Sequence, residues 1–285
     1  MIPPAAQYEA SSLRTDHEAR ITERVQFVGQ ANSELYTVLS MPIGRVLGGV
    51  VIASSLLTDL LRSYRGEVLM GRRLASLGYA VLRFDYRGFG HSDGETGVTN
   101  VGFLADDLAA AITILETHIG PAPMTLVGSR FGSLLVANHP APAARRVFWD
   151  PVLTGHDYFR TAFRAHMVGT MRSANLGSTP SAQLRDNGRA GVLGYTVGRD
   201  LVESTRSLSL VSKGLAGCSV LWVDTAVTMS KPGAQSQDDL RSMGVDLAIR
   251  HMPVRDPGWF VGVRPREDRG AITAIAEWLS SRTSS

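Results

Sequence analysis

Four polar residues stand directly after short apolar runs, where the end of a strand could present them to a ligand. Ser129 and Arg130 follow one such run, and Asp150 and Asp224 close two others. A serine next to a base can act as a nucleophile, whereas an arginine cannot attack a carbonyl and stays protonated at working pH. Carboxylates in such places can serve as general bases. The residue types therefore allow either covalent chemistry or acid–base chemistry beside a bound anion.

Arg130 is flanked by two glycines, Gly128 and Gly132, in the segment LVGSRFGSLLVA. Glycines at this spacing permit a sharp turn from a strand into a helix, with the central residue at its tip. Backbone N–H groups at a helix N-terminus favour anions, and a guanidinium adds a planar fork that can hold a carboxylate, phosphate or enolate. The turn therefore predicts an anion or oxyanion clamp; the alternative is an ordinary turn with an exposed arginine. Ser129 should point away from the tip and is the candidate for covalent chemistry.

Strands and helices are predicted to alternate along most of the chain, which is typical of a mostly parallel sheet with helices on both faces. Continuous apolar runs such as RVLGGVVIAS and YAVLRFDY are typical of strands that are covered on both faces. The predicted strands lie at 25–29, 34–40, 45–54, 79–86, 124–129, 146–150, 218–224 and 245–252. The predicted helices lie at 65–77, 102–118, 130–138, 157–172, 198–209, 234–243 and 268–281.

The alternation stops between residues 152 and 215, where two helical pieces flank the segment LGSTPSAQLRDNGRAG. An insertion here would form a cap over the carboxyl ends of the strands, which is where open α/β sheets bind ligands. We therefore predict a loose N-terminal arm at 1–21, a core formed by 22–151 and 216–285, and a helical cap at 152–215.

Three segments resemble the α/β-hydrolase superfamily and follow its order. LRFDYRGFGHSDGE at 82–95 resembles the D-x-R-G-x-G-x-S turn after the fourth strand, LVGSRFGSLLVA resembles the nucleophile elbow, and WVDTAVT at 222–228 resembles the strand end that presents the acid. The chain is also similar to hydrolase-like proteins of the serine aminopeptidase/lysophospholipase type found with exosortase systems, whose elbow contains an arginine. The resemblance implies an α/β-hydrolase fold with an inserted helical cap, in which Arg130 replaces the nucleophilic serine.

The resemblance also implies an oxyanion site. Its loop would be ASSLLTD at 53–59, which lacks the H-G-G pattern. Donors could come from Ser54, Ser55 and Leu56, and the backbone N–H of Phe131 would complete the hole. Ser54 is, with Ser129, a candidate for a displaced nucleophile.

The acid and the base that the resemblance implies match the family pattern less well. Asp224 stands where a triad acid belongs, with a turn-capping aspartate as the alternative, and Asp150 is a second acid that would face the cap. The family places its histidine in the loop 252–267, which contains none, so His251 is the nearest substitute. A single histidine there is more often structural. His156 lies in the predicted cap and could line a pocket.

Composition and charge exclude several other classes. The 285 residues are 44% hydrophobic and 19% charged, which is typical of a globular chain, and the net charge of +3 comes from scattered arginines that do not suggest a nucleic-acid partner. One cysteine, Cys218, cannot form an intramolecular disulfide. The N-terminus lacks the apolar core of a signal peptide, and no apolar run approaches the ~20 residues of a membrane helix. We expect a cytoplasmic protein without membrane contact, metal or cofactor.

Three hypotheses follow, from different classes. The first is an enzyme of a biosynthetic pathway. It would hold an acidic small molecule on Arg130 and perform elimination, cyclisation or direct hydrolysis without an acyl-enzyme. The second is an esterase, thioesterase or peptidase with a displaced serine, which requires a serine within hydrogen-bond reach of a base. The third is a binding protein without chemistry, in which Arg130 would be paired with a protein carboxylate such as Asp59 or Asp150, leaving no free anion site.

Overall fold

The computed structural model describes residues 10–140, 145–171, 178–226, 230–254, 259–260 and 265–282. Its strands are β1 (Ala10–Asp16), β2 (Ile21–Val28), β3 (Leu35–Pro42), β4 (Gly48–Ala53), β5 (Tyr79–Phe84), β6 (Met124–Ser129), β7 (Arg145–Trp149), β8 (Arg189–Val192), β9 (Tyr195–Gly198), β10 (Ser219–Asp224) and β11 (Asp246–His251). Its α-helices are α1 (Leu57–Ser76), α2 (Val101–Ile119), α3 (Gly132–Asn138), α4 (Gly155–Met171), α5 (Pro180–Asn187), α6 (Arg199–Thr205), α7 (Lys231–Ser242) and α8 (Arg269–Ser281).

Nine strands of the described chain form one sheet in the order β1-β2-β3-β5-β4-β6-β7-β10-β11. The strands from β5 to β11 in this order pair in parallel, whereas β1, β2, β3 and β5 pair with one another antiparallel. Helices supply the crossover connections that parallel neighbours require. The structure confirms the predicted class, a mostly parallel sheet with helices on both faces.

The sheet is covered on both faces because its central strands carry apolar side chains on both faces. Along β4, Val51 and Ala53 pack in the apolar cluster that contains residues of α2 and α3, whereas Val50 and Ile52 pack in the cluster that contains residues of α1 and α8. Successive side chains of a strand point to opposite faces, so a continuous apolar run supplies both layers. None of the described helices is long and apolar enough to cross a membrane.

Between β7 and β10 the chain leaves the sheet and forms α4, α5, the hairpin β8–β9 and α6. Helices α4 and α6 confirm two predicted helices, but α5 and the hairpin were not predicted. The Thr179 hydroxyl caps α5 by accepting from the N–H of Ala182, and Gly188 ends the helix at a φ of 72° before the hairpin begins. Residues 172–177 lie outside the described residues, and the cap with boundaries at 152 and 215 stays a prediction.

Two expectations about the N-terminal part were wrong. Ala10–Asp16, in the stretch expected to be a loose arm, forms β1 and pairs antiparallel with β2. Helix α1 begins at Leu57 and not near residue 65. Its first turns carry Asp59 and Arg62 on the buried side, and such charges break the apolar periodicity by which a helix is predicted.

Candidate functional site

The carboxyl ends of the parallel strands gather the candidate residues along one edge of the sheet. The register pairs Ala53 with Gly128, Ser129 with Trp149, and Trp149 with Val223. Neighbouring strands lie about 4.8 Å apart, so residues that follow these positions are close neighbours. The side chains at this edge include those of Ser54, Arg130, Asp150, Asp224 and His251.

The turn between β6 and α3 has Arg130 at its tip, in the left-handed region with a φ of 50°. A Cβ atom on Gly128 would lie 2.5 Å from the backbone of Ser133, and one on Gly132 would lie 2.0 Å from the carbonyl oxygen of Ala53. Neither contact is tolerable, so both flanking positions require glycine. The backbone N–H of Arg130 donates to a carbonyl oxygen of β7 at 2.9 Å, which fixes the turn to the sheet.

The Arg130 side chain is only partly engaged. Its Nε donates to Oδ2 of Asp59 at 3.0 Å, and its Nη1 donates to the backbone carbonyl of Asp150 at 3.3 Å. The indole of Trp259 lies over the guanidinium, with its centroid 5.1 Å from Cζ. Nη2 has no hydrogen-bond partner among the described residues. A ligand could therefore bind the Nη2 end of the guanidinium.

Asp59 lies in the first turn of α1 and is fully buried. Burial raises the pKa of Asp59 to about 6, although the Arg130 guanidinium opposes this shift. Its Oδ1 has no hydrogen-bond partner in the described part of the chain. The Asp59–Arg130 pair is therefore mostly ionic at neutral pH and gains a proton in mild acid.

A second cluster of polar side chains links the ends of β7 and β10. Asp150, with a φ of 45°, accepts hydrogen bonds from the backbone N–H of Thr225 at 2.6 Å and from the Thr225 hydroxyl. Nη2 of Arg266 donates to Oγ1 of Thr225 at 2.6 Å and lies 3.0 Å from a carboxylate oxygen of Asp268, while Nη1 lies 3.5 Å from Asp150. Burial raises the pKa of Asp150, although Thr225 and Arg266 lower it. Both Asp150 oxygens are thus occupied.

Trp259 brings three cations together. Its ring centroid lies 4.4 Å from Cζ of Arg266, 5.1 Å from that of Arg130 and 5.8 Å from that of Arg62. The face of an indole attracts guanidinium groups through its quadrupole. The indole therefore helps to hold the arginines close together despite their like charges.

A cavity of 340 Å³ opens beside this cluster. Arg130, Asp150 and Asp224 line it together with apolar walls that include Leu153 and Trp222. The volume is in the range of small-molecule sites. Asp224 is half-buried, accepts from the N–H of Ala226 through Oδ1 at 2.8 Å, and forms no ion pair with any described residue. The described residues contain no cluster of His, Cys, Asp and Glu able to hold a metal ion.

The two candidate serines lie elsewhere. Ser129 and Ser54 each donate a hydroxyl hydrogen bond of 2.5 Å to Glu67 of α1, one to each carboxylate oxygen. All three side chains are buried, and neither serine lines the cavity. Burial raises the pKa of Glu67, against the lowering effect of these hydroxyls. The serines are within reach of a base, but on the side of the turn that faces away from the cavity.

The architecture matches known structures over most of the chain. Est1E from Butyrivibrio proteoclasticus, solved with ferulic acid bound, superposes with a TM-score of 0.65 at 14% identity, covering 91% of this chain and 99% of that one. A highly thermostable carboxyl esterase from Bacillus coagulans gives 0.62 at 12% identity over 92% and 98% of the two chains. Alpha/beta hydrolase domain-containing protein 10 from mouse gives 0.58 at 16% identity over 91% and 98%. The chain has the α/β-hydrolase fold.

The sequence comparisons agree with the α/β-hydrolase fold. Residues 63–176 match the family model of the serine aminopeptidases S33, and no curated protein matches the sequence. The matched segment includes the turn at Arg130, both glycines around it and all of α4. At such low identities, the solved structures establish the fold and leave the chemistry to the residues of this chain.

The loop predicted to supply oxyanion donors is occupied by hydrogen bonds within the protein. Ser55 Oγ accepts from the backbone N–H of Phe131 at 3.4 Å and lies 3.4 Å from the hydroxyl of Tyr158. That hydroxyl donates to the carbonyl of Leu56 at 2.5 Å, and all of these residues are buried. An oxyanion could use the Phe131 N–H only if it displaced the Ser55 hydroxyl.

Neither of the two candidate histidines lines the cavity of Arg130. His251 is exposed at the end of β11 and borders a different hollow of 740 Å³, and its side chain makes no hydrogen bond to any described residue. It is the register partner of Asp224, but the two side chains are not hydrogen-bonded. His156 is exposed in the first turn of α4 and does not line the cavity of Arg130. Residues 255–258 and 261–264, in the loop where the family places its histidine, lie outside the described residues.

Several residues of the site were not singled out from the sequence, among them Glu67, Trp259 and Arg266. Glu67 carries a usable signal: it continues the buried stripe of α1 at helical spacing from Ser63, so a carboxylate stands where an apolar residue is expected. A buried carboxylate needs partners, which predicts polar residues at a neighbouring strand end. Trp259 and Arg266 lie in an irregular loop without periodicity, and the sequence offers no comparable signal for them.

Proposed function

We propose that the protein is an enzyme that acts on a small anionic molecule without forming an acyl-enzyme. The observation that carries the proposal is the position of Arg130, which lines the cavity and keeps Nη2 without a described partner. The reaction would be an elimination, a cyclisation or a direct hydrolysis.

In this proposal, the turn with Arg130 at its tip is the nucleophile elbow of the fold with its serine replaced. The left-handed φ of Arg130 and the two obligatory glycines are the features that such an elbow needs. A guanidinium cannot attack a carbonyl, but it can hold a carboxylate or stabilise a developing enolate. The turn would then supply substrate binding and charge stabilisation.

The surroundings of the serines argue against covalent catalysis. Ser129 and Ser54 are held by Glu67 in the protein interior, so attack on a substrate would require both a broken hydrogen bond and a path to the cavity. The serine of the described residues that does line the cavity is Ser230, whose Oγ accepts from the N–H of Gly233 at 3.2 Å as the cap of α7. No base among the described residues forms a hydrogen bond with the Ser230 hydroxyl.

Asp224 is the best-placed general base. It lines the same cavity as Arg130, its Oδ2 has no described hydrogen-bond partner, and Asp150 has both oxygens occupied. A positioned carboxylate of this kind typically contributes about 10²–10⁴-fold to a reaction rate. Loss of the carboxylate should therefore abolish most of the activity while the substrate still binds to Arg130.

A second candidate is a binding protein that uses the same cavity without chemistry. The observation in its favour is the ion pair between Arg130 and Asp59, which neutralises part of the cation in the absence of ligand. The two candidates differ in the role of Asp224, which only an enzyme needs for turnover.

The first experiment asks whether any serine is reactive. The protein, Ser129→Ala and Ser230→Ala are each treated with a fluorophosphonate and examined by intact mass spectrometry, with an established serine esterase as the positive control. We expect no adduct on the protein while the esterase is fully labelled. An adduct that disappears in Ser129→Ala would overturn the proposal and establish an esterase-type mechanism.

The second experiment separates an enzyme from a binding protein. A panel of small carboxylic acids is incubated with the protein and with Asp224→Asn, and products are followed by mass spectrometry. We expect a mass change or a loss of water that requires Asp224. Binding that depends on Arg130, with no product from any acid that binds, would favour the binding protein.

A further inference from the structure

The cavity carries opposite charges on its two sides. Arg130 contributes a guanidinium with a free Nη2, whereas Asp224 contributes a carboxylate that has no cationic partner among the described residues. Arg266 also lines the cavity, but its Nη2 is committed to Thr225 and its guanidinium is paired with carboxylates. Among its described lining residues, the cavity therefore presents one available cation and one available anion.

The two charges are separated by two strand intervals. Arg130 follows Ser129 at the end of β6, Asp224 ends β10, and β7 lies between them in register. At about 4.8 Å per strand, their backbones lie roughly 10 Å apart, and the long arginine side chain shortens the gap that a ligand must span. Because the two side chains do not pair with each other, a bound molecule can bridge them.

The wall between these charges is apolar. Pro151, Leu153, Trp222 and Val254 line the space around Arg130 and Asp224. An apolar spacer would bury its surface against these side chains, at about 25 cal/mol for each Å² removed from water. A wholly polar ligand would leave this surface without a matching contact.

The charge balance around the cavity also restricts the anionic end of a ligand. Among the described residues of the cluster, the carboxylates are Asp59, Asp150, Asp224 and Asp268, and the guanidiniums are Arg62, Arg130 and Arg266. Asp59 and Asp150 already face the guanidiniums of Arg130 and Arg266, so a dianionic phosphate would meet more repulsion than a carboxylate. A single negative charge is the best match for the one free end of Arg130.

We infer that the cavity binds an amphoteric molecule, with a carboxylate on Arg130, a protonated nitrogen on Asp224 and an apolar spacer between them. The inference rests on the proposed function for the anionic end of the ligand and adds the cationic end, whose proton Asp224, the proposed general base, would accept. It narrows the substrate class to amino acids and related amino carboxylates of cavity size.

The test compares ligands that differ only in their charged ends. Affinities of 6-aminohexanoate, hexanoate and hexylamine are measured at pH 7 by calorimetry and by tryptophan fluorescence, since Trp222 and Trp259 both line the cavity. Because the best spacer length follows from the bound geometry, the series runs from 4-aminobutanoate to 8-aminooctanoate, each beside its matched acid and amine. We expect the best amino acid to bind at least about tenfold more tightly than either single-charge partner.

Variants assign the two ends. Asp224→Asn should remove the advantage of the amino acid over the acid, and Arg130→Met should remove its advantage over the amine. Asp238→Asn, an exposed carboxylate of α7, and Arg160→Met, an exposed arginine of α4, are the matched controls and should change neither ratio. The comparison of ligands on the unmodified protein needs no variant, so it stands even if Arg130→Met is unstable.

Two contrary results are distinguishable. If acids bind in an Arg130-dependent way but no amino acid in the series binds more tightly, the amphoteric inference fails and the anion site of the proposed function stands. If none of the carboxylates binds, the proposed function fails together with the inference.

Discussion

Two neighbouring residues of one strand end, Ser129 and Arg130, lie in opposite environments. Ser129 faces the interior, where its buried hydroxyl donates to Glu67. Arg130 faces the cavity, where Asp59 takes up one edge of the guanidinium and Nη2 stays without a described partner. Because successive residues at a strand end point to opposite sides, one step along the chain separates a structural contact from a binding group.

The difference teaches how to separate structural polar residues from functional ones in this molecule. Glu67 has a hydrogen bond on each carboxylate oxygen, which satisfies a buried group, and it does not line the cavity. Asp224 and Arg130 keep unsatisfied polar atoms at the wall of a cavity. The predictions below test this contrast. They begin with the substitution for which the largest change in stability is expected.

Removal of the Glu67 carboxylate should have the largest effect. Glu67→Ala leaves two buried serine hydroxyls without an acceptor and opens a void, which should cost about 3–5 kcal/mol of unfolding free energy. Glu67→Gln keeps the volume and can bond both hydroxyls, so it should cost only about 1 kcal/mol. Urea unfolding of both variants measures the difference. Equal losses would show that the carboxylate is not the link between the two strand ends.

The Asp59–Arg130 pair should make stability depend on pH. The pKa of Asp59 is about 6 in the folded protein against an ordinary value of 3.8, so the folded state binds the proton more tightly than the unfolded state. The contribution of this group to stability is therefore full below about pH 4 and is lost as the pH rises through 6. The total change is up to about 3 kcal/mol.

Asp59→Asn isolates this contribution, because asparagine resembles the protonated acid at every pH. Relative to the unmodified protein, the variant should become more stable as the pH rises from 4 to 8. Unfolding free energies at several pH values, with Asp238→Asn as an exposed control, measure the trend. A difference that stays constant across this range would refute a raised pKa at Asp59.

The smallest effect is expected for Ser129→Ala. Loss of one hydrogen bond to Glu67 should lower the unfolding free energy by about 1 kcal/mol, because Ser54 still donates to the same carboxylate. Carboxylate binding at Arg130 should not change. Thermal unfolding measures the stability, and calorimetry on the same preparation measures the carboxylate affinity. A tenfold loss of carboxylate affinity would show that the two sides of the turn are not independent.

The sequence was a good guide to the fold where packing leaves a periodic pattern. The strands β4, β6, β7 and β10 were predicted near their observed bounds because burial on both faces demands continuous apolar runs. Strand β1 was missed because ASSLRTD is a mostly polar edge strand with no such run. The first two turns of α1 were missed because buried charged residues interrupt their apolar stripe.

The sequence was a partial guide to the site. The spacing of Gly128, Arg130 and Gly132 correctly predicted a sharp turn with arginine at its tip, since only glycine fits on either side. Asp59 was named as one of two possible partners of Arg130, and the structure forms that pair across 71 residues. Contacts between distant segments otherwise carry no local pattern, as in the bond of Ser129 to Glu67 across 62 residues. Such pairings follow from the arrangement of α1 over the strand ends and become visible only in the folded chain.

The central claim is that the tip of this turn binds an anion through Arg130. The most direct measurement is the affinity of hexanoate for the unmodified protein and for Arg130→Met, by calorimetry at pH 7 and low ionic strength, with the exposed Arg65→Met as control. The account predicts a loss of about 10–100-fold in Arg130→Met, as expected for a charge-assisted hydrogen bond, and no change in Arg65→Met. Equal affinities for all three proteins would contradict it.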